Sequence, residues 1–130
     1  MEEVYQFLKA CGTYYLATME GEQPRVRPFG TVDLFNGQLT IQTGRKKEVA
    51  QQMLRSPKVE LCAFDGERWL RLAATAVEVR EVAAQAHMLD AYPNLRAMYA
   101  PGDGNTIIFA LTDATATFSS FTEASRTVTF

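Results

Sequence analysis

Two hydrophobic periods alternate along this chain. Over residues 2–10, Val4, Phe7 and Leu8 recur at helical spacing. Two acids in the first turn and Gly12 just beyond the end complete the signature of a short opening helix. The period then shortens. "TYYLATM" (Thr13 to Met19) is rich in aromatic and β-preferring residues, "EGEQP" reads as a turn, and "RVRPFGTVDLF" (Arg25 to Phe35) reads as one second strand. Asn36-Gly37 matches a type I′ turn, whose two central positions need positive φ, and "QLTIQT" follows as the next strand of a three-stranded antiparallel unit. From Lys46 the helical period returns: Val49, Ala50, Met53 and Leu54 share a face until Pro57 ends the helix. "KVELCAF", a turn at Asp65-Gly66 and "ERWLRLAATAVEV" predict another hairpin. A helix is expected from about Glu81 to Ala91, then a helical turn and Gly/Pro loop over Tyr92 to Asn105. "TIIFALTD" and "ATATFSSF" are expected to close the fold as a pair of strands. Six or more antiparallel strands with short helices inserted imply a closed or nearly closed β-barrel, which also protects strand edges.

At 130 residues this is one expected domain, residues 1–130, large enough to hold a core without staples. No apolar run approaches the roughly 20 residues of a membrane span, and the acidic start "MEEVYQFLKA" lacks a secretory signal's pattern, so a cytoplasmic protein with no membrane association is expected. Cys11 and Cys62 are far apart, form no Cys-x-x-Cys pair and have only His87 to join them, so buried free thiols are expected and no metal site. A net charge of −2 argues against a nucleic-acid partner. The basic residues are concentrated locally instead: five of the thirteen lie in "PRVRP" (Pro24 to Pro28) and "GRKKE" (Gly44 to Glu48).

That clustering points to a small anion. Arg25 and Arg27 alternate to one face of their strand, about 7 Å apart. Lys46 and Lys47 fall at the amino end of a helix, where unpaired N–H groups favour an anion and cations are locally unfavourable. A phosphate would resolve that conflict, with Thr43 offering a hydroxyl and Gly44 a close backbone approach. A solvated loop is the competing reading. Pairing of the Arg25–Arg27 strand with "QLTIQT" would bring both clusters to one point. The aromatic residues Tyr14, Tyr15, Phe29 and Tyr99 read as barrel core rather than stacking platforms. Trp69 shares a strand face with Glu67 and Arg71, and its orientation stays open. No dinucleotide fingerprint, Walker loop, zinc helix or serine elbow is present, and His87 reads as a satisfied or surface histidine, so the catalytic residues are unknown.

The succession "GEQPRVRPFG", "NGQLTIQTGRKKEVAQQMLRSPKVELCAF" and "WLRLAATAVEV", with the closing "MYAPGDGNTIIFALTDATATFSSF", resembles the flavin-binding split-barrel family related to pyridoxamine 5′-phosphate oxidase. The resemblance implies a mainly β (α+β) antiparallel split β-barrel with short flanking helices. It implies a homodimer binding FMN at two interfacial sites. It assigns the phosphate to Arg27 and possibly Arg25, with Thr43, Lys46 and Lys47. It lays the backbone of Arg27, Pro28, Phe29 and Gly30 along the isoalloxazine ring and puts Gln42 near the flavin's edge or polar tail. The partner completes the pocket near Trp69 and Arg71. In such a site the flavin carries the redox chemistry and no acid–base triad is required. The Arg and His pair of a longer carboxy-terminal segment that authentic oxidases use is not found before Phe130, so that specific activity is not expected. Small members of the family are often flavin reductases or nitroreductase-like. The expected function is therefore a flavoprotein oxidoreductase moving hydride or electrons between a reduced nicotinamide or similar donor and a small molecule. Alternatives are a non-enzymatic flavin or haem module for electron transfer or sensing, a reductase using F420, or a barrel serving only as an interaction module.

Overall fold

The opening amphipathic stretch forms helix α1 (Glu2–Cys11), which stops where Gly12 takes φ 76°. In this computed structural model, which describes residues 1–130, eight antiparallel strands follow in one sheet. β1 (Tyr14–Glu20) and β2 (Gln23–Phe29) make the first hairpin, and β3 (Asp33–Phe35) and β4 (Gln38–Gly44) the second. Asn36 and Gly37 sit between β3 and β4 with φ 48° and 70°, as a type I′ turn requires. Helix α2 (Glu48–Arg55) then leads to β5 (Lys58–Phe64) and β6 (Arg68–Val79). Helix α3 (Val82–Ala91) and a 3-10 turn (Pro93–Ala97) precede β7 (Thr106–Ser120) and β8 (Arg126–Thr129).

Strand alternation fills the interior. Leu16, Ile41, Leu61, Leu70, Leu72 and Phe109 are at most 1% exposed, and truncating such a side chain to Ala typically costs about 2–5 kcal/mol. The spatial order is β2-β1-β5-β6-β7-β4-β3, with β8 paired to β7.

Three expectations are corrected by this order. The stretch Arg25 to Phe35 is not one strand: it breaks between Phe29 and Asp33, and the intervening residues cross from one edge of the sheet to the other. β2 therefore does not pair with β4. The two lie on opposite sides of a split, so the barrel is not closed by a hydrogen-bonded ladder. Residues 106–120 form one long strand rather than a hairpin. Asp113 adopts φ 48° and the β6–β7 register shifts between Ala73 and Thr75, so the strand bends with a bulge where a turn was expected. The arrangement is an α+β, split-barrel-like fold with three α-helices.

Side chains bridge the split. Thr31 Oγ1 accepts from Gln42 N and donates to Gln42 O, and Tyr14 Oη donates to Thr31 O at 2.6 Å. On the other side Thr18 Oγ1 donates to Gln52 Oε1 at 2.5 Å, tying α2 to β1. No helix is long and apolar enough to cross a membrane.

Candidate functional site

A cleft of about 160 Å³ opens at the split. It is walled by the end of β2 and its crossing (Pro28, Phe29, Gly30, Thr31), by Gln42 and Thr43 of β4, by Lys47 ahead of α2, and by Leu95, Met98 and Tyr99 beyond α3. Its walls combine apolar side chains, Pro28, Phe29, Leu95 and Met98, with the polar Thr31, Gln42, Thr43 and Tyr99 and the cationic Lys47. The polar wall contains built features. Gln42 and Thr43 are 5% and 4% exposed. The amide nitrogen of Gln42 is spent on Thr43 O and Thr106 Oγ1, while Gln42 Oε1 and Thr43 Oγ1 bond to nothing in the chain and keep access to solvent. Lys47 is the N-cap residue of α2, and no side chain caps the helix, which leaves first-turn N–H groups without a side-chain partner next to Lys46 and Lys47 in sequence.

The two basic clusters each divide by ion pairing. Arg25 is neutralised by Glu20, with Nη2 to Oε1 at 2.8 Å, and Arg45 by Glu78 on β6. Arg27, Lys46 and Lys47 have no carboxylate partner. Arg27 donates through Nη1 to Thr18 Oγ1 at 2.7 Å and Leu16 O at 3.2 Å, and through Nη2 to Gln52 Oε1 at 2.7 Å. All three acceptors are neutral, and the only carboxylate acting on the charge of Arg27 is Glu48 at the start of α2, without a salt bridge. Burial, then the charge of Arg25, lowers its pKa from the ordinary guanidinium value. The carboxyl of Glu20 is held below its usual range first by its hydrogen bond from Arg25.

Of the residues expected at the site, Pro28, Phe29, Gly30, Gln42, Thr43 and Lys47 line one cleft. Lys46 lies beside it, exposed, its N–H bonded to Asn105 Oδ1 at 3.2 Å. Arg25 is turned to Glu20, and Arg27 reaches α2 rather than the cleft wall. The helix starts at Glu48, so Lys46 and Lys47 precede it. Gly44 does not offer its backbone to a ligand as expected: Tyr99 packs over it, and a Cβ there would stand 3.0 Å from Tyr99 Oη. Trp69 lies on the outer face of β6, packed at a tilt of 54° against Phe121 with ring centroids 5.0 Å apart, and does not line the cleft.

The expectation of core aromatics holds for Tyr14, fully buried, but not for Tyr15, which is 53% exposed. The thiols of Cys11 and Cys62 are half-buried rather than buried, and burial raises the pKa of both. His87 Nδ1 meets Asp33 Oδ2 at 2.5 Å, with Asp33 4% exposed.

Several site residues escaped the sequence. Thr18 and Gln52 anchor Arg27, and nothing in their local pattern marks them. The loop "APGDGN" (Ala100 to Asn105) orders the basic segment: Asn105 O accepts from Arg45 N at 2.6 Å, while the Asp103 carboxylate accepts from the N–H groups of Ala100, Asn105 and Thr106. Those backbone bonds, Thr106 first, hold the Asp103 carboxyl below its ordinary value.

A larger hollow of about 470 Å³ lies between the β5–β6 turn and Ser120–Glu123. Its arginine, Arg68, is already paired with Asp65, and Glu67 and Glu123 add negative charge, so it is ill-suited to a phosphate. No group of three or more His, Cys, Asp or Glu is placed to hold a metal ion.

Residues 1–92 match the family model of pyridoxamine 5′-phosphate oxidase. The chain belongs to that family. A NimC/NimA family protein from Clostridium acetobutylicum is similar over 100% of this chain and 92% of its own, at 36% identity and TM-score 0.96. At lower identity the likeness shows the family's fold alone. General Stress Protein 26 from Bacillus anthracis covers 99% of this chain and 97% of its own at 14% identity and TM-score 0.79. An FAD-binding protein from Mesorhizobium loti covers 92% and 94% at 15% identity and TM-score 0.61. A search among curated proteins returns no match.

Proposed function

We propose that this member of the pyridoxamine 5′-phosphate oxidase family is an FMN-binding oxidoreductase that works as a homodimer. It moves hydride or electrons from a reduced nicotinamide or similar donor to a small molecule. The observation that carries the reading is the split itself: one cleft is walled by apolar side chains and by polar groups with Lys47, and beside it Lys46, Lys47 and an uncapped helix start have no salt-bridge partner. A planar ring with a phosphate tail fits that polarity. FMN fits the donor set, since a phosphate can take charge-assisted bonds from Lys46, Lys47 and the first turn of α2. Gln42 Oε1 and the backbone of Pro28–Thr31 would border the ring. When bound, flavin supplies the electron or hydride transfer. The chain binds the phosphate, orients the ring against the β4 edge, and shields one side of it from water with Leu95, Met98 and Phe29.

A cleft of 160 Å³ is small beside the roughly 300–1,000 Å³ of complete ligand sites, which supports completion by a second copy. The outer sheet face provides an interface. Tyr15, Val26 and Phe64 are 53%, 68% and 56% exposed there, and the strand register sets Tyr15 between Pro28 and Cys62 and Phe64 opposite Trp69. An apolar patch of this kind on a sheet marks a contact surface. Trp69 and Arg71 lie on that face, from which they would reach the partner's cleft.

The test is the visible spectrum after FMN is added and the sample desalted. Flavin bands retained at one per chain, on a particle of dimer mass, support the proposal, and oxidation of NADH or NADPH by that sample supports the enzymatic part. A colourless protein contradicts FMN binding, and retained flavin without turnover with any donor leaves a binding module in place of an enzyme.

A further inference from the structure

Three tyrosine hydroxyls surround the split, and two are bound to the main chain. Tyr14 Oη donates to Thr31 O, and Tyr92 Oη accepts from Val32 N at 3.0 Å and donates to Val32 O at 3.1 Å. The third differs. Tyr99 is 8% exposed and lines the cleft, and its hydroxyl bonds to nothing in the chain yet keeps some access to solvent. No group of the chain engages this hydroxyl, so packing alone does not use it and it is free to meet a ligand. The surroundings are shaped to admit it. Gly44 has ordinary strand backbone and no positive φ, so its missing side chain matters sterically: a Cβ would meet Tyr99 Oη at 3.0 Å and Cε1 at 3.3 Å. Gly44 O in turn accepts from Lys47 N at 3.0 Å, which places the hydroxyl beside the turn that presents Lys47 to the cleft.

The segment carrying Tyr99 is fixed at both ends. Its N–H donates to Leu95 O at 2.9 Å, and the following loop is tied by Asp103 and by Asn105, whose O and Oδ1 accept from Arg45 and Lys46. The tyrosine and the basic turn are thus one rigid unit.

We propose that Tyr99 is a ligand-binding residue whose hydroxyl donates a hydrogen bond to the phosphate received by Lys46, Lys47 and the start of α2. The proposal deepens the FMN reading and rests on it. A hydrogen bond to a charged group contributes enough to change affinity by about 10-fold or more.

The experiment compares Tyr99→Phe with the wild type by flavin fluorescence quenching, titrating FMN and riboflavin in parallel, with a thermal melt of each protein. Tyr99→Phe is expected to keep the melting temperature, weaken FMN by about 10-fold and leave riboflavin unchanged. Gly44→Ala, which displaces the hydroxyl without removing it, is expected to weaken FMN selectively as well. Equal FMN affinity of Tyr99→Phe and wild type overturns the role of Tyr99 while leaving FMN binding intact. Equal weakening of FMN and riboflavin assigns Tyr99 to the ring and also overturns it. A wild type that binds no FMN overturns this proposal together with the reading beneath it.

Discussion

The arginine pair on β2 and the basic turn before α2 look alike as sequence and are built alike, yet neither acts as a unit. In each, one cation is consumed by a neighbouring carboxylate, Arg25 by Glu20 and Arg45 by Glu78, and the remainder stay unpaired. The consumed members hold the scaffold: Arg25 braces the β1–β2 hairpin, and Arg45 fastens the basic turn to β6. The unpaired members differ between clusters. Arg27 is half-buried in a network with Thr18 and Gln52, whereas Lys46 and Lys47 extend into solvent at a helix start. A run of positive charge is thus not itself a site. The cations proposed to bind a ligand are those that combine the absence of a carboxylate with a cleft beside them.

Substitutions can break this comparison. The largest effect is expected from Lys46→Ala with Lys47→Ala. Charge-assisted bonds contribute about 1.5–3 kcal/mol each, so FMN affinity should fall at least 100-fold by fluorescence titration. The melting temperature should hold, because neither side chain is buried. Arg27→Met should act chiefly on stability, with a destabilisation of about 1–3 kcal/mol in urea unfolding because Thr18 and Gln52 lose their shared donor, and should weaken FMN several-fold through the loosened α2. Arg45→Ala should weaken FMN only a few-fold, by loosening a turn that Asn105 still holds. Arg25→Ala should leave FMN affinity unchanged within twofold, as an exposed ion pair contributes little.

The smallest effect is a pH effect at the same pair. Arg25 holds the Glu20 carboxyl below its ordinary value. A carboxylate so depressed favours the folded state at neutral pH, and that contribution disappears as pH falls from about 4.3 through the lower folded-state value. Carboxyl titration by NMR should show the Glu20 resonance moving at lower pH than a free glutamate, and Arg25→Ala should return it upward.

Much of this was legible because local chemistry decided it. Asn36-Gly37 dictated its turn, the Val49-Ala50-Met53 face dictated α2, and the run Arg45-Lys46-Lys47 between strand and helix located the basic turn. The failures share a cause. Arg25 to Phe35 reads as a strand despite Pro28, Gly30 and Asp33, and the tertiary route around the split breaks it at Gly30, where a strand-depleted residue stands. Residues 106–120 carry a turn-like Asp113, yet pairing with the long β6 keeps them one strand. Tyr99, Thr18 and Gln52 reach the site from distant segments, and Glu20 and Glu78 select which cations remain free. Nothing periodic encodes such pairings.

The central claim is that unpaired cations at the split read a phosphate. The most direct measurement is the ratio of riboflavin to FMN dissociation constants for the wild-type protein at two salt concentrations, since both ligands share the ring and differ in the phosphate. The account predicts FMN at least 100-fold tighter, with the advantage shrinking as salt rises. Equal affinities at low salt would contradict it.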